Sequence, residues 1–133
     1  MNPNPAFARG RPPGKPAVLL VDDELEIRKV LQIALQEHFE IESASSAQEA
    51  EMMLGTGAYD VVVCDHLMPG EEGLAFLTRA RTQFPKVQRI LITGYMNPEL
   101  ISRSTMVAGL SGCLMKPVSM PALVEAIRLA LPR

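Results

Sequence analysis

Two apolar runs in this chain lack any alternation of hydrophobic and polar residues, and each run ends in acid. The first is Ala17–Val21, followed by Asp22 and Asp23, and the second spans residues 61–64, followed by Asp65. A strand without alternation is covered on both faces, which is typical of a parallel sheet with helices on each side. Because open parallel sheets carry their chemistry at the carboxyl ends of the strands, we expect the three acids at the functional edge.

The remainder of the chain alternates predicted helices with predicted strands. The additional strands are predicted at 39–43, 87–92 and 110–115, and the helices at 25–38, from Ser46 to Gly55 or Gly57, 71–84, from Pro98 to Gly109, and 120–131. Right-handed crossovers between such elements predict an α/β fold. We therefore expect a flavodoxin-like, doubly wound, five-stranded parallel sheet of strand order 2-1-3-4-5 with five helices. In the first helix, the expected apolar face contains Ile27, Val30, Leu31, Ala34 and Leu35.

Residues 1–16 differ in composition from the rest of the chain. They contain five prolines, two glycines, three bases and no acid. Such a segment has little that can pack, so we predict a disordered leader at 1–16 and one folded domain at 17–133. The folded part holds 10 bases and 15 acids, and this acidic balance disfavours direct nucleic-acid binding.

The cysteines and the hydropathy indicate the compartment. Cys64 and Cys113 fall inside predicted strands and lack a CxxC spacing, so both are expected to be reduced, buried thiols. No apolar run reaches the ~18 residues that a membrane span requires. We expect a soluble, cytoplasmic protein that does not bind membranes.

Chemically active side chains follow four of the predicted strands. Asp22 or Asp23 could cap the helix that follows, but a cap needs only one acid, whereas two acids beside Asp65 offer an oxygen cage for Mg2+. Thr93 either bonds its own turn or faces Asp65 across Gly94, and Lys116 is either a structural counterion or a ligand for a phosphoryl oxygen. The expected strand order gathers all these groups into one site.

Such a site is suited to phosphoryl transfer onto a carboxylate. An ionised Asp65 would attack, and both the cation and Lys116 would favour the ionised form. The Thr93 hydroxyl would join them in stabilising the charge on the transferring oxygens.

The segment Asp65-His66-Leu67-Met68-Pro69-Gly70 resembles the phosphoacceptor segment of bacterial two-component response regulators. Three further segments match this family in order, so the resemblance covers roughly residues 17–131. It implies that Asp65 is the phosphoacceptor, and that Thr93 is the switch hydroxyl and Lys116 the phosphate-binding lysine.

The resemblance also implies a cofactor and partners. Mg2+ would be bound by Asp23, Asp65 and the backbone carbonyl of Leu67, with Asp22 acting through water. The phosphoryl donor would be a phosphohistidine on a sensor histidine kinase or phosphotransfer protein. The receiver would act on a downstream effector or an attached output domain, and the resemblance also allows a homodimer through the fourth helix, fifth strand and fifth helix.

One position departs from the family pattern. Three residues before the lysine, where receivers usually have Tyr or Phe, this chain has Cys113. A thiol is too small to fill the space that Thr93 vacates when it moves. We therefore expect switching to depend on the fourth helix and on Tyr95, without an inward aromatic rotamer.

Two other classes of function compete with a phosphorylation-dependent receiver, whether stand-alone or part of a longer protein. A phosphatase of the haloacid dehalogenase type also uses an aspartyl phosphate and Mg2+, but it usually carries a second acid where this chain has Leu67. A degenerate receiver would bind partners without phosphorylation, and Cys113 is the residue that favours this alternative.

Overall fold

The computed structural model describes residues 15–94 and 97–132, and within these residues strands and helices alternate from end to end. The strands are β1 (Ala17–Val21), β2 (Glu40–Ala44), β3 (Val61–Asp65), β4 (Gln88–Thr93) and β5 (Gly112–Met115). The helices are α1 (Leu25–Leu35), α2 (Ala47–Leu54), α3 (Gly73–Gln83), α4 (Pro98–Ala108) and α5 (Met120–Ala130). Most of the predicted leader lies outside the described residues.

The strands form one parallel sheet in the order β2-β1-β3-β4-β5, which confirms the predicted flavodoxin-like topology. In the register, Val21 pairs with Cys64, and Asp65 pairs with Ile92. Thr93 pairs with Met115, the residue before Lys116. The strand ends are therefore level, and the residues that follow them meet at one edge.

Apolar side chains cover both faces of the sheet. Leu19, Val62 and Leu91 belong to a buried cluster with residues of α2 and α3. Leu20 and Val63 belong to a second cluster with residues of α1 and α5. This arrangement explains the absence of alternation in β1 and β3, because each side chain of these strands meets a helix layer. Each fully buried aliphatic side chain contributes about 1.5–3 kcal/mol.

Helix α1 differs from its prediction in length and in burial. It ends at Leu35 and does not reach residue 38. Leu35 is buried, but Ile27 is 40% exposed and Val30 is 62% exposed, so the first half of the predicted apolar face is left largely uncovered. The helix joins the core through Leu31 and Leu35, nearer its carboxyl end. Helical periodicity identifies the apolar side of a helix but does not determine how much of that side another element covers.

Helices α2 and α3 illustrate the local rules at helix starts. Ser46 caps α2 as predicted, since its hydroxyl accepts a 3.0 Å hydrogen bond from the Glu49 amide. Helix α3 begins at Gly73, two residues later than predicted, because Glu72 has extended backbone geometry and forms the N-cap. Among the described helices, none has the length and hydropathy needed to cross a membrane.

Candidate phosphoryl-transfer site

The carboxyl edge of the sheet brings the predicted site residues together. Asp22 follows β1, Asp65 is the last residue of β3 and Lys116 follows β5. Thr93 is the last residue of β4 and is fully buried. Its backbone carbonyl accepts a 2.9 Å hydrogen bond from the Lys116 amide. The strand order thus connects all four positions at one site.

Three carboxylates form a compact group at this edge. Asp22, Asp23 and Asp65 each have one carboxylate oxygen that lies within 4.8 Å of such an oxygen on both of the others. Asp22 and Asp65 are each only 6% exposed, whereas Asp23 is open to solvent. Among the described residues, the buried Oδ1 of Asp65 lies 2.8 Å from Lys116 Nζ in an ion pair, but no donor points at it with regular hydrogen-bond geometry. Hard oxygen ligands with spare coordination capacity fit a Mg2+ ion that keeps part of its water shell.

The surroundings of Asp22 do not support a role as a helix cap. The residue at the N-cap of α1 is Glu24, whose side chain makes no capping hydrogen bond. Asp22 Oδ1 instead accepts a 2.9 Å hydrogen bond from the Glu24 amide, and its carbonyl accepts a 2.7 Å bond from Arg28 Nη1. Burial raises the pKa of Asp22, and the charge of Asp65 adds to the rise although the Glu24 amide opposes it. A cation bound beside Asp22 would relieve this cost.

Lys116 is the positively charged side chain at this site, within the part of the chain that the structure describes. Its Nζ lies 2.8 Å from Oδ1 of Asp65, and its side chain is 43% exposed. Burial acts to lower the pKa of Lys116, but the contact with Asp65 and the charge of Asp22 outweigh it, so the pKa is raised. The ammonium therefore stays charged at neutral pH. The ammonium can bind an anionic oxygen of a group that is attached to the Asp65 carboxylate.

Gly73 is a contributor to the site that the sequence did not identify. Its amide donates a 2.9 Å hydrogen bond to the carbonyl of His66, the residue after Asp65. A β-carbon at position 73 would lie 2.2 Å from the carbonyl oxygen of Asp65, closer than any side chain could be placed. The first turn of α3 therefore rests directly on the end of β3. In the sequence, Gly73 is only a glycine near a predicted helix start, and this position does not indicate a contact with another element.

Helix α4 is held at its carboxyl end by two arginines, which the sequence also left without a role. Arg89, a buried residue of β4, donates hydrogen bonds of 3.0 Å to the carbonyls of Ala108 and Gly109. Arg81 donates bonds of 3.1 Å to the carbonyls of Met106 and Val107. Helix carbonyls at this end lack partners within the helix, so positively charged donors stabilise it.

The switch residues predicted from the sequence are described only in part. Tyr95 lies outside the described residues. Cys113 is partly buried and packs against the cluster on the α2 and α3 side of the sheet. Cys64 is buried, and its thiol lies 3.4 Å from the carbonyl oxygen of Asp65. Both cysteines are free, and burial raises the pKa of each thiol. Cys64 is buried as predicted, whereas Cys113 is only partly buried because it lies in β5, at the edge of the sheet.

The sheet order and the acidic edge with its lysine correspond to a known family of signalling domains. The model of the response regulator receiver domain matches residues 18–128. This chain therefore belongs to the response regulator receiver domain family.

Similar sequences include regulators of transcription. The chain is 36% identical over 113 residues to the hydrogenase transcriptional regulatory protein HoxA of Cupriavidus necator, covering 85% of this chain and 23% of that protein. It is 31% identical over 116 residues to the C4-dicarboxylate transport transcriptional regulatory protein DctD of Rhizobium meliloti, covering 86% of this chain and 25% of DctD. The chain thus spans about a quarter of the length of these curated relatives.

Similar structures include single receivers. The chemotaxis protein CheY4 of Vibrio cholerae superposes with a TM-score of 0.80 at 28% identity, covering 88% of this chain and 99% of CheY4. The response regulator TrrA of Thermotoga maritima, solved in complex with Mg(2+)-BeF, superposes with a TM-score of 0.76 at 31% identity, covering 87% of this chain and 99% of TrrA.

Proposed function

We propose that this chain is a phosphorylation-dependent switch in which Asp65 accepts a phosphoryl group in a Mg2+-dependent reaction. The observation that carries the proposal is the position of Asp65, which is buried at the end of β3, 2.8 Å from Lys116 and grouped with two more carboxylates. A structural salt bridge would need one acid and one base. The additional acids are what a cation site requires.

The proposed reaction gives each of these groups a role. A carboxylate oxygen of Asp65 forms the bond to phosphorus, while the bond from phosphorus to the donor nitrogen breaks and its electron pair leaves with the imidazole. Lys116 holds an oxygen of the transferring group, and the Thr93 hydroxyl donates to another. Mg2+, bound by Asp23, Asp65 and the carbonyl of Leu67 with Asp22 acting through water, would supply positive charge against the phosphoryl oxygens. Water attacking the acyl phosphate would reverse the modification.

The donor in this proposal is a phosphohistidine on a sensor kinase or phosphotransfer protein in the cytoplasm. Support for Mg2+ comes from the cluster of the three carboxylates and from the Mg(2+)-BeF complex of the similar receiver TrrA. The matched region of HoxA and DctD is a minor part of each, so an output domain attached to this receiver is part of the proposal.

Phosphorylation is proposed to change the surface formed by α4, β5 and α5. Apolar side chains are exposed on all three elements: Met106, Val107, Met115 and Leu129. These residues suit a homodimer or an effector contact that phosphorylation strengthens. Because Cys113 replaces the usual aromatic residue, we propose that α4 and Tyr95 carry the change. Structures with and without a beryllofluoride adduct in which α4 and Tyr95 coincide would contradict this mode of switching.

The test of the proposed function is the mass of the intact protein after incubation with acetyl phosphate and Mg2+. We expect one phosphoryl adduct, which is absent after chelation of Mg2+ and absent in Asp65→Asn. Asp60→Asn is the matched control, since Asp60 lies at the opposite end of β3 and bonds the amide of Ala17. A folded protein that gains no adduct would instead support the degenerate receiver, which binds partners without phosphorylation.

A further inference from the structure

The loop between β3 and α3 (residues 66–72) contains Leu67, whose carbonyl is one of the ligands in the proposed Mg2+ site. The middle of this loop is anchored in the core, because Met68 is buried in the cluster on the α2 and α3 side of the sheet. Gly70 follows with a φ of 89°, a left-handed conformation that glycine adopts without strain. The position of the Leu67 carbonyl therefore depends on how firmly the rest of the loop is held.

Arg79 of α3 binds the part of the loop that follows Gly70. Its Nη1 donates a hydrogen bond to Oε2 of Glu71, which lies two residues before the helix begins. Side chains on an α-helix point towards its amino terminus, so Arg79 reaches back along the helix to the loop. The guanidinium carbon also lies 5.7 Å from the centre of the Phe76 ring, over a side chain that is buried in the core. A fixed ring thus supports the cation that binds Glu71.

The same guanidinium is bound to α2. Nη2 of Arg79 donates a 2.8 Å hydrogen bond to Oε1 of Glu51, and this bond lowers the pKa of Glu51. The hydrogen bonds to Glu71 and Glu51 raise the pKa of Arg79. An isolated ion pair at a protein surface contributes little, but here one planar guanidinium binds carboxylates from two different elements. Its orientation is fixed by both, and it joins α2 and α3 to the loop.

We infer that Arg79 is a positioning residue for the Mg2+ site, on which it acts through Glu71 and the loop of residues 66–72. This inference rests on the proposed function, since it concerns the metal of that reaction. Replacing a residue that orients metal ligands from the outer shell typically weakens metal binding by roughly 10- to 100-fold. Arg79 is one step further from the metal, so we expect Arg79→Met to weaken Mg2+ binding by about 3- to 10-fold.

The sign of this effect separates positioning from simple electrostatics. Removing a positive charge from the protein would by itself strengthen the binding of a cation, because less positive charge would repel it. Positioning predicts the opposite result, a weaker Mg2+ site in a protein that has lost a positive charge. Methionine keeps an unbranched chain that can still cover Phe76, so Arg79→Met removes the hydrogen bonds with little loss of packing.

The experiment titrates Mg2+ into 15N-labelled protein and follows the amide resonances to obtain the dissociation constant. Arg103→Met is the matched control, because it removes an arginine that pairs with Glu99 on α4, and it should not weaken Mg2+ binding. Glu71→Ala tests the path of the effect. Substitutions that remove the same interaction are not additive, so Arg79→Met should weaken binding no further when it is added to Glu71→Ala.

A second measurement observes the loop in the metal-free protein. Backbone 15N relaxation gives amide order parameters, which are about 0.85 in rigid backbone and below about 0.6 in flexible segments. The order parameters of the Gly70 and Glu71 amides should fall from about 0.85 towards about 0.6 in Arg79→Met. They should stay unchanged in Arg103→Met.

The outcomes distinguish this inference from the proposed function. If the unsubstituted protein binds Mg2+ and Arg79→Met binds it equally well or more tightly, the inference is overturned while the proposed function stands. Order parameters that Arg79→Met leaves unchanged, or losses of affinity that add in the double variant, would also overturn it. If the unsubstituted protein bound no Mg2+, the Mg2+-dependent reaction and the inference would fail together.

Discussion

The first helical residue of α3, Gly73, stands so close to Asp65 that a β-carbon on it would lie 2.2 Å from the Asp65 carbonyl oxygen. The neighbouring atoms are backbone atoms of Asp65 and His66, so no side chain can move aside to make room. The absence of a side chain at position 73 allows α3 to rest on the end of β3. This contact, together with the hydrogen bond from the Gly73 amide to the His66 carbonyl, fixes the segment that carries Asp65, the proposed phosphoacceptor.

Gly73→Ala should therefore harm both stability and reaction. We expect a loss of about 1–3 kcal/mol in the free energy of unfolding, since overpacking against backbone costs this much. We also expect phosphorylation to slow by roughly 10- to 100-fold, because a displacement of about 1 Å at a reacting group has that effect. Urea unfolding and adduct formation by mass measure the two effects. Gly112→Ala is the control, because its new β-carbon would lie at an ordinary 3.7 Å from Ile90. Equal losses of stability and of phosphorylation rate in the two variants would contradict the role of the Gly73 contact.

Asp22→Asn should stabilise the metal-free protein at neutral pH. The pKa of Asp22 is raised by burial and by the charge of Asp65, so the folded protein binds a proton at this group more readily than the unfolded chain. The stability that this group contributes is present at pH below 3.8, the ordinary value, and is lost as pH rises through the raised pKa. Asn keeps an oxygen for the Glu24 amide but carries no charge.

The difference between Asp22→Asn and the unsubstituted protein should thus be about 1 kcal/mol near pH 7, a size common for single substitutions. It should disappear as pH falls below the ordinary value. Thermal unfolding in the presence of a chelator measures it. Addition of Mg2+ should stabilise the unsubstituted protein more than the variant, and a variant that is less stable at pH 7 without metal would contradict this account.

Lys116→Met should slow phosphorylation while the protein stays folded. Loss of one positioned donor that stabilises the charge developing in a transition state typically costs 10²–10³-fold in rate, about 2.7–4 kcal/mol, and we expect an effect of this size for Lys116. Lys86, an exposed lysine in the turn before β4, gives the control Lys86→Met. Adduct formation from acetyl phosphate, followed by intact mass, measures both. If the two variants reacted equally fast, Lys116 would have only a structural role.

The fold was predictable from the sequence because its main features are local. The unbroken runs at β1 and β3 require cover on both faces, and the strand order then aligns Asp22, Asp65 and Lys116. The cap at Ser46 likewise depends on neighbours in sequence. The contact of Gly73 with Asp65 and the exposure of Val30 were not predictable, because they depend on how closely one element approaches another.

The structural role of Arg89 could not be predicted from its position in the sequence. Arg89 is a charged residue inside a predicted strand, and its hydrogen bonds join it to the carbonyls of Ala108 and Gly109, about 20 residues away in the chain. Burial and the nearby Arg81 lower its pKa from the ordinary arginine value. Three hydrogen bonds to carbonyls, including that of Val87 at 2.8 Å, offset this cost.

Arg89→Met should loosen the carboxyl end of α4. The buried carbonyls would lose their donor at a cost of about 1–3 kcal/mol each where no water replaces it. Amide hydrogen exchange in the last turn of α4 should rise at least tenfold, a factor that corresponds to about 1.4 kcal/mol. Arg103→Met removes an exposed arginine of the same helix that pairs with Glu99, and it should change the exchange of this turn little. Unchanged exchange in Arg89→Met would show that α4 is held by other contacts.

In the proposed reaction, phosphorus becomes bonded to the carboxylate of Asp65. Borohydride reduces an acyl phosphate but leaves a free carboxylate intact, so it marks the modified residue directly. After incubation with acetyl phosphate and Mg2+, then reduction and proteolysis, peptide mass spectrometry should find homoserine at position 65 and aspartate at positions 22, 23 and 60. Homoserine at another position, or unmodified aspartate at position 65 in protein that carries the phosphoryl mass, would contradict the account.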